Sequence, residues 1–69
     1  MNVMFLRGDK VLISSQIAES FMTSRIVTIV TVDYYDRCLP YRVEFSNGLR
    51  QWVTKEALHP IEKNRARVV

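Results

Sequence analysis

One cysteine and one histidine among 69 residues exclude an intramolecular disulfide and a cysteine zinc cluster, and remove most histidine-based metal sites. The net charge of +3 does not describe a basic body: residues 1–62 carry seven basic against seven acidic side chains. The excess sits in Lys63, Arg65 and Arg67, so residues 63–69 are expected to be a flexible basic tail.

Met1 to Leu6 is a short apolar patch without a charged leader or a long apolar core, and is not expected to be a signal peptide. Gly8 reads as a turn residue opening a first strand, Asp9 to Ser14, with Val11 and Ile13 pointing one way and Lys10 and Leu12 the other. From Ser14 to Arg25 the pattern loosens. Ile17 and Phe21 stand at i, i+4, which suits one helical turn capped by Ser15, but an ordered loop is the expectation because serines and threonines crowd the segment.

Ile26 to Asp33 is the second strand, filled with β-branched residues. Its apolar side chains fall on both faces, Ile26, Val30 and Val32 against Val27 and Ile29. That requires burial on both sides or a bulge that switches faces. The run is broken by Thr28 and Thr31 and is too short to span a bilayer, so a soluble chain with no membrane partner is expected. Asp33 to Leu39 is a loop, and Pro40 limits the start of the third strand to an entry or edge position.

Asn47-Gly48 is a strong hairpin signal between Tyr41–Ser46 and Leu49–Thr54. A two-residue turn with both φ angles positive sets Phe45 against Arg50, Val43 against Trp52 and Tyr41 against Thr54. Tyr41, Val43, Phe45 and Trp52 then share a buried face, while Arg42, Glu44, Ser46 and Gln51 share the other. Thr54 to Leu58 reads as one 3₁₀ or helical turn with Thr54 as its N-cap and Glu56 near its start, and His59 to Glu62 as a fifth strand.

The predicted architecture is all-β: a small five-stranded SH3-like barrel over residues 1–62, with a short 3₁₀ turn before the last strand. Closure would answer the size problem, since a chain this short buries only about 60% of its unfolded surface. The segment YRVEFSNGLRQWVTKEALHPI resembles the second half of Tudor-, Agenet- and Mib/Herc2-type SH3-like domains, through Tyr41, Val43, Phe45, Asn47, Gly48, Trp52, Val53, Leu58 and Pro60. Gly8-Asp9-Lys10-Val11 resembles their G-D-x-V opening. The resemblance covers about half of the chain and implies a fold, not a function. The chain looks more like the small stand-alone barrels of bacteria and bacteriophages than like a domain cut from a chromatin protein. The glycines that KOW-type ribosomal and transcription-factor barrels carry around the second strand are absent.

Few residues carry chemistry, and each has a plainer reading. Cys38 and His59 are the one conceivable nucleophile–base pair, but Cys38 reads as a small apolar residue and His59 as an exposed or capping one. No catalytic site, cofactor or metal is expected. Tyr34 and Tyr35, flanked by Asp33 and Asp36, suit a peptide contact or a methyl-cation cage, though one ring packed on the body and one solvated is the plainer expectation. Trp52 is expected in the core, with a rim position as the alternative. The leading functional expectation is a non-enzymatic protein or peptide binder using Phe21, Met22, Tyr34, Tyr35, Asp36 and Arg37. The alternative is a nucleic-acid binder using Arg37, Arg42, Arg50, Lys63, Arg65 and Arg67, against which Glu44 on the same face argues. A monomer or weak homodimer, paired through Met1–Leu6, is expected, and the unpaired cysteine fits a cytoplasmic setting.

Overall fold

A computed structural model describes residues 5–61. In chain order they form β1 (Lys10–Ile13), α1 (Ser15–Ser20), β2 (Ile26–Val32), β3 (Tyr41–Glu44), β4 (Arg50–Val53), a 3₁₀ turn (Lys55–Ala57) and β5 (Leu58–Pro60). The strands make one antiparallel sheet in the order β4-β3-β2-β1-β5. One face carries the core: Val11 and Ile13 of β1, Val27 and Ile29 of β2, Tyr41 and Val43 of β3, Val53 of β4 and Leu58 of β5. Phe45, Ala57, Ala18 of α1 and Phe5 complete it.

The segment after β1 is helical, not the loop expected from its polar residues. Ser14, one position before the anticipated Ser15, is the N-cap, with its Oγ accepting from Ile17 N at 3.4 Å. The i, i+4 pair prevails because both members reach the core: Ile17 and Phe21 pack against it, and Phe21 stacks on Phe45 with ring centroids 5.0 Å apart. The helix ends in a Schellman arrangement, Thr23 N donating to Ala18 O at 3.0 Å and Met22 N to Glu19 O at 3.1 Å. That motif needs a left-handed residue at its turn, usually glycine. Here Met22 takes it, at φ 54°. Met22→Gly is therefore expected to stabilise the chain by about 0.5–1 kcal/mol by relieving the Cβ clash. A lower urea midpoint for the variant would sink this account.

β2 resolves its two-faced pattern by a bulge. Its register with β3 shifts between Ile29 and Thr31, leaving Val30 as the extra residue. Val27 and Ile29 point to the core before the bulge and Val32 packs against it afterwards.

The hairpin differs from its prediction by one residue. Tyr41 pairs with Val53, Arg42 with Trp52, Val43 with Gln51 and Glu44 with Arg50. Phe45 O accepts from Gly48 N at 2.9 Å and Phe45 N donates to Leu49 O at 2.7 Å, so the loop is three residues long, Ser46 to Gly48. Only Gly48 is left-handed in this turn, at φ 92°. Asn47 keeps a negative φ; its Oδ1 accepts from Leu49 N, and its Nδ2 donates to Phe21 O. A one-residue slip turns every β4 side chain over. Val53, not Trp52, enters the core, and Arg50 faces outward, pairing with Glu44 at 3.2 Å. The two-residue register would have turned Arg50 inward beside Phe45, where its charge has no partner.

Thr54 occupies the N-cap position of the 3₁₀ turn without a side-chain cap bond. β5 is an edge strand pairing with β1, and Pro60 is tolerated there because its outer side needs no N–H. Phe5, which carried no signal beyond a short apolar patch, is buried edge-to-face on Tyr41 at 5.7 Å. Within Met1–Leu6, the segment expected to pair two copies, Phe5 thus serves the chain's own core. Met1–Met4, Glu62 and the basic residues Lys63, Arg65 and Arg67 lie outside the described residues.

Candidate functional site

The loop between β2 and β3 is built around two carboxylates. Asp33 N donates to Pro40 O at 2.7 Å, closing the loop at its base. Asp33 Oδ1 accepts from Tyr35 N at 3.0 Å, and Asp36 Oδ1 accepts from Leu39 N at 3.0 Å and Cys38 N at 2.9 Å. These are Asx-type turns, in which a short side chain does the work of a backbone carbonyl. With the backbone held this way, Tyr34 is 67% and Tyr35 97% exposed. The expectation that one of the two rings would be packed on the body is not met. Tyr34 lines a shallow depression of about 270 Å³ with Arg7, Val30, Thr31 and Val32, and Tyr35 stands in solvent.

The N–H groups of Leu39 and then Cys38 hold the Asp36 carboxyl below its ordinary value, since both bonds favour the ionised form. A folded-state value lower than the unfolded one means that the ionised Asp36 supports the loop above the usual aspartate range. That support is lost only as pH falls through the lowered value. In a carboxyl-carbon NMR titration Asp36 is expected to titrate below an unstructured aspartate. Titration at or above the unstructured value would show that the two N–H bonds do not persist in solution.

The other expected partner residues lie elsewhere. Phe21 is half-buried on Phe45, and Met22 is 89% exposed beside the β3–β4 turn, where Asn47 bonds to Phe21 O. Tyr34, Tyr35, Asp36 and Arg37 belong to the loop entering β3, whereas Phe21 and Met22 adjoin the turn leaving it. The six residues form two separate surfaces.

The outer face of the sheet carries a third group. Thr31, Arg42 and Trp52 stand side by side across β2, β3 and β4, and Lys10, Thr28, Glu44 and Arg50 form a parallel row from β1 to β4. Trp52 is 37% exposed on this face, in a rim position and not in the core. Arg42 and Arg50 thus share a face with an indole, while Arg37 stands apart on the β2–β3 loop. Cys38 lies exposed on that loop and His59 on β5, with β1 and β2 between them in the sheet. Among the described residues no group of three or more His, Cys, Asp or Glu is placed to hold a metal ion, and no helix is long and apolar enough to cross a membrane.

Comparison with protein families, curated proteins and solved structures found no match. The functional reading therefore stands on the chain's own geometry. Two of its features escaped the sequence. Arg7 reaches the Tyr34 depression because the Gly8 turn, at φ 96°, folds the N-terminal segment onto β2. Trp52 faces out because the turn is one residue longer than Asn-Gly alone implies. A signal was present in the inward-facing Arg50 that the shorter turn would have demanded.

Proposed function

We propose that the chain is a non-enzymatic binding module with an SH3-like barrel, and that its β2–β3 loop takes a protein or peptide. The barrel is supported by the strand order, by β1 pairing with both β2 and β5, by the bulge at Val30 and by the 3₁₀ turn leading into β5. The binding role rests on one observation: two adjacent tyrosines are held in solvent on a loop whose backbone Asp33 and Asp36 already fix. Rigid aromatic anchors lose little freedom on binding, and buried tyrosines are enriched among residues that dominate interfaces. The reading keeps the carboxylates in a structural role, since both accept backbone bonds.

The test is capture from native lysate by the tagged chain after nuclease treatment. It is washed in about half-molar salt, where charges are screened beyond roughly 4–5 Å. A discrete partner is expected to be retained, and Tyr34→Ala/Tyr35→Ala to weaken it by about 30-fold, the size of an interface hot spot of about 2 kcal/mol. Both rings are exposed, so the variant's melting temperature should match the parent's. Undiminished capture by the folded variant would overturn the assignment.

A further inference from the structure

We infer that the outer face of the sheet is a binding surface for single-stranded nucleic acid, with Trp52 as its stacking platform. The inference is independent of the β2–β3 loop and rests on what the observed register brings together.

The Thr31–Arg42–Trp52 row places a guanidinium directly across from an indole that is neither buried nor ring-stacked. Opposed side chains on an antiparallel pair have Cβ atoms about 4.5–5.5 Å apart, and diagonal neighbours about 7–8 Å. Arg50 is such a neighbour of Arg42, and Lys10 stands three strands from Arg50 at the other end of the parallel row. Charge on this face is not balanced as it is over residues 1–62. Lys10, Arg42 and Arg50 face one carboxylate, Glu44, which is tied to Arg50 at 3.2 Å. The other described acids lie off the face: Asp9 accepts from Leu6 N in the N-terminal turn, Asp33 and Asp36 hold the β2–β3 loop, Glu19 is on α1 and Glu56 in the 3₁₀ turn. Arg7 adds a further cation where Thr31 meets the Tyr34 depression.

Positive groups interleaved with an open aromatic face are what an unpaired strand needs. The cations follow phosphates, and the indole takes a base whose π-face is free only when the base is not paired. The threonine hydroxyls of the two rows supply donors without adding negative charge. A peptide ligand for the same face would need acidic side chains spaced to meet the cations and a planar side chain set between them, whereas each nucleotide of an unpaired strand carries both a phosphate and a planar base, so the strand is the better match.

Trp52 is the chain's one tryptophan, so its fluorescence reports this face alone. Titrating the full chain with a twelve-nucleotide oligothymidine in low salt is expected to quench it. With about three phosphates neutralised, affinity should fall with salt with a log–log slope near −2, from about −0.7 per phosphate on single strands. By anisotropy of a labelled oligonucleotide, Trp52→Ala is expected to weaken binding about tenfold and Arg42→Gln to flatten the slope. Gln16→Ala, on the exposed side of α1, should leave both unchanged. The inference is overturned by an absence of quenching, by equal quenching with inorganic polyphosphate, or by a folded Trp52→Ala variant that binds the oligonucleotide as well as the parent. It is also overturned if that variant instead loses a captured protein.

Discussion

Val53→Asp is expected to unfold the chain, whereas Trp52→Asp, one residue earlier on the same strand, is expected to leave it folded. Val53 is buried among the core side chains, and among the described residues no buried cation stands ready to pair with a carboxylate. Burying an unpaired charge costs several kcal/mol, and a domain of this size is stable by only about 3–10 kcal/mol. Trp52 is on the opposite face, directly across from Arg42, where an aspartate meets water and a cation. Its replacement should change stability by about 1 kcal/mol. Far-UV circular dichroism with urea titration of the two purified variants reads the difference. The reverse pattern would restore the two-residue turn and return Trp52 to the core.

Ile29→Ala is expected to destabilise by about 3 kcal/mol, and Ile29→Val by about 1 kcal/mol. Ile29 is fully buried, and its backbone is held from the far side, Ile29 N donating to Asp9 O at 2.9 Å and its carbonyl accepting from Gly8 N at 2.7 Å. The substitution leaves those bonds in place and removes only side-chain volume. The loss is therefore that of the buried side-chain atoms together with the cavity they leave. Because the bulge comes next, at Val30, the strand is pinned at this point and has little freedom to close the cavity. Urea unfolding with an unchanged slope and a lowered midpoint checks this; a loss below about 1 kcal/mol would place Ile29 outside the rigid core.

The sheet was largely legible in the chain because its signals are periodic. Val11 and Ile13 announced their face by alternation, and the two-faced apolar content of Ile26–Asp33 narrowed that strand to burial on both sides or a bulge, of which the structure has the bulge. What escaped has no period. Asn47-Gly48 marked where the chain turns but not how many residues the turn holds, and Asn47 uses its side chain on Leu49 and Phe21 in place of a positive φ. The serines around Ile17 argued for a loop, yet Ser14 is the cap that starts the helix. Phe5 packs on Tyr41 across a long stretch of sequence, which no local pattern reveals. The candidate surfaces suffered most. Whether a loop tyrosine is sheltered depends on which backbone groups its neighbouring aspartates hold, and the place of Trp52 turned on a single residue of turn length.

The bonds between the end of α1 and the hairpin tip have a consequence for how the protein opens. Thr23 Oγ1 lies 2.6 Å from Ser46 Oγ, Ser46 N donates to Thr23 Oγ1, Ser24 N donates to Ser46 Oγ, and Asn47 Nδ2 donates to Phe21 O. A one-and-a-half-turn helix and an isolated hairpin are each too short to persist alone. Laced together, they form a single cooperative unit. Fraying that begins at Met22 is expected to reach Gly48, and the amides of both segments to lose their protection in the same opening event.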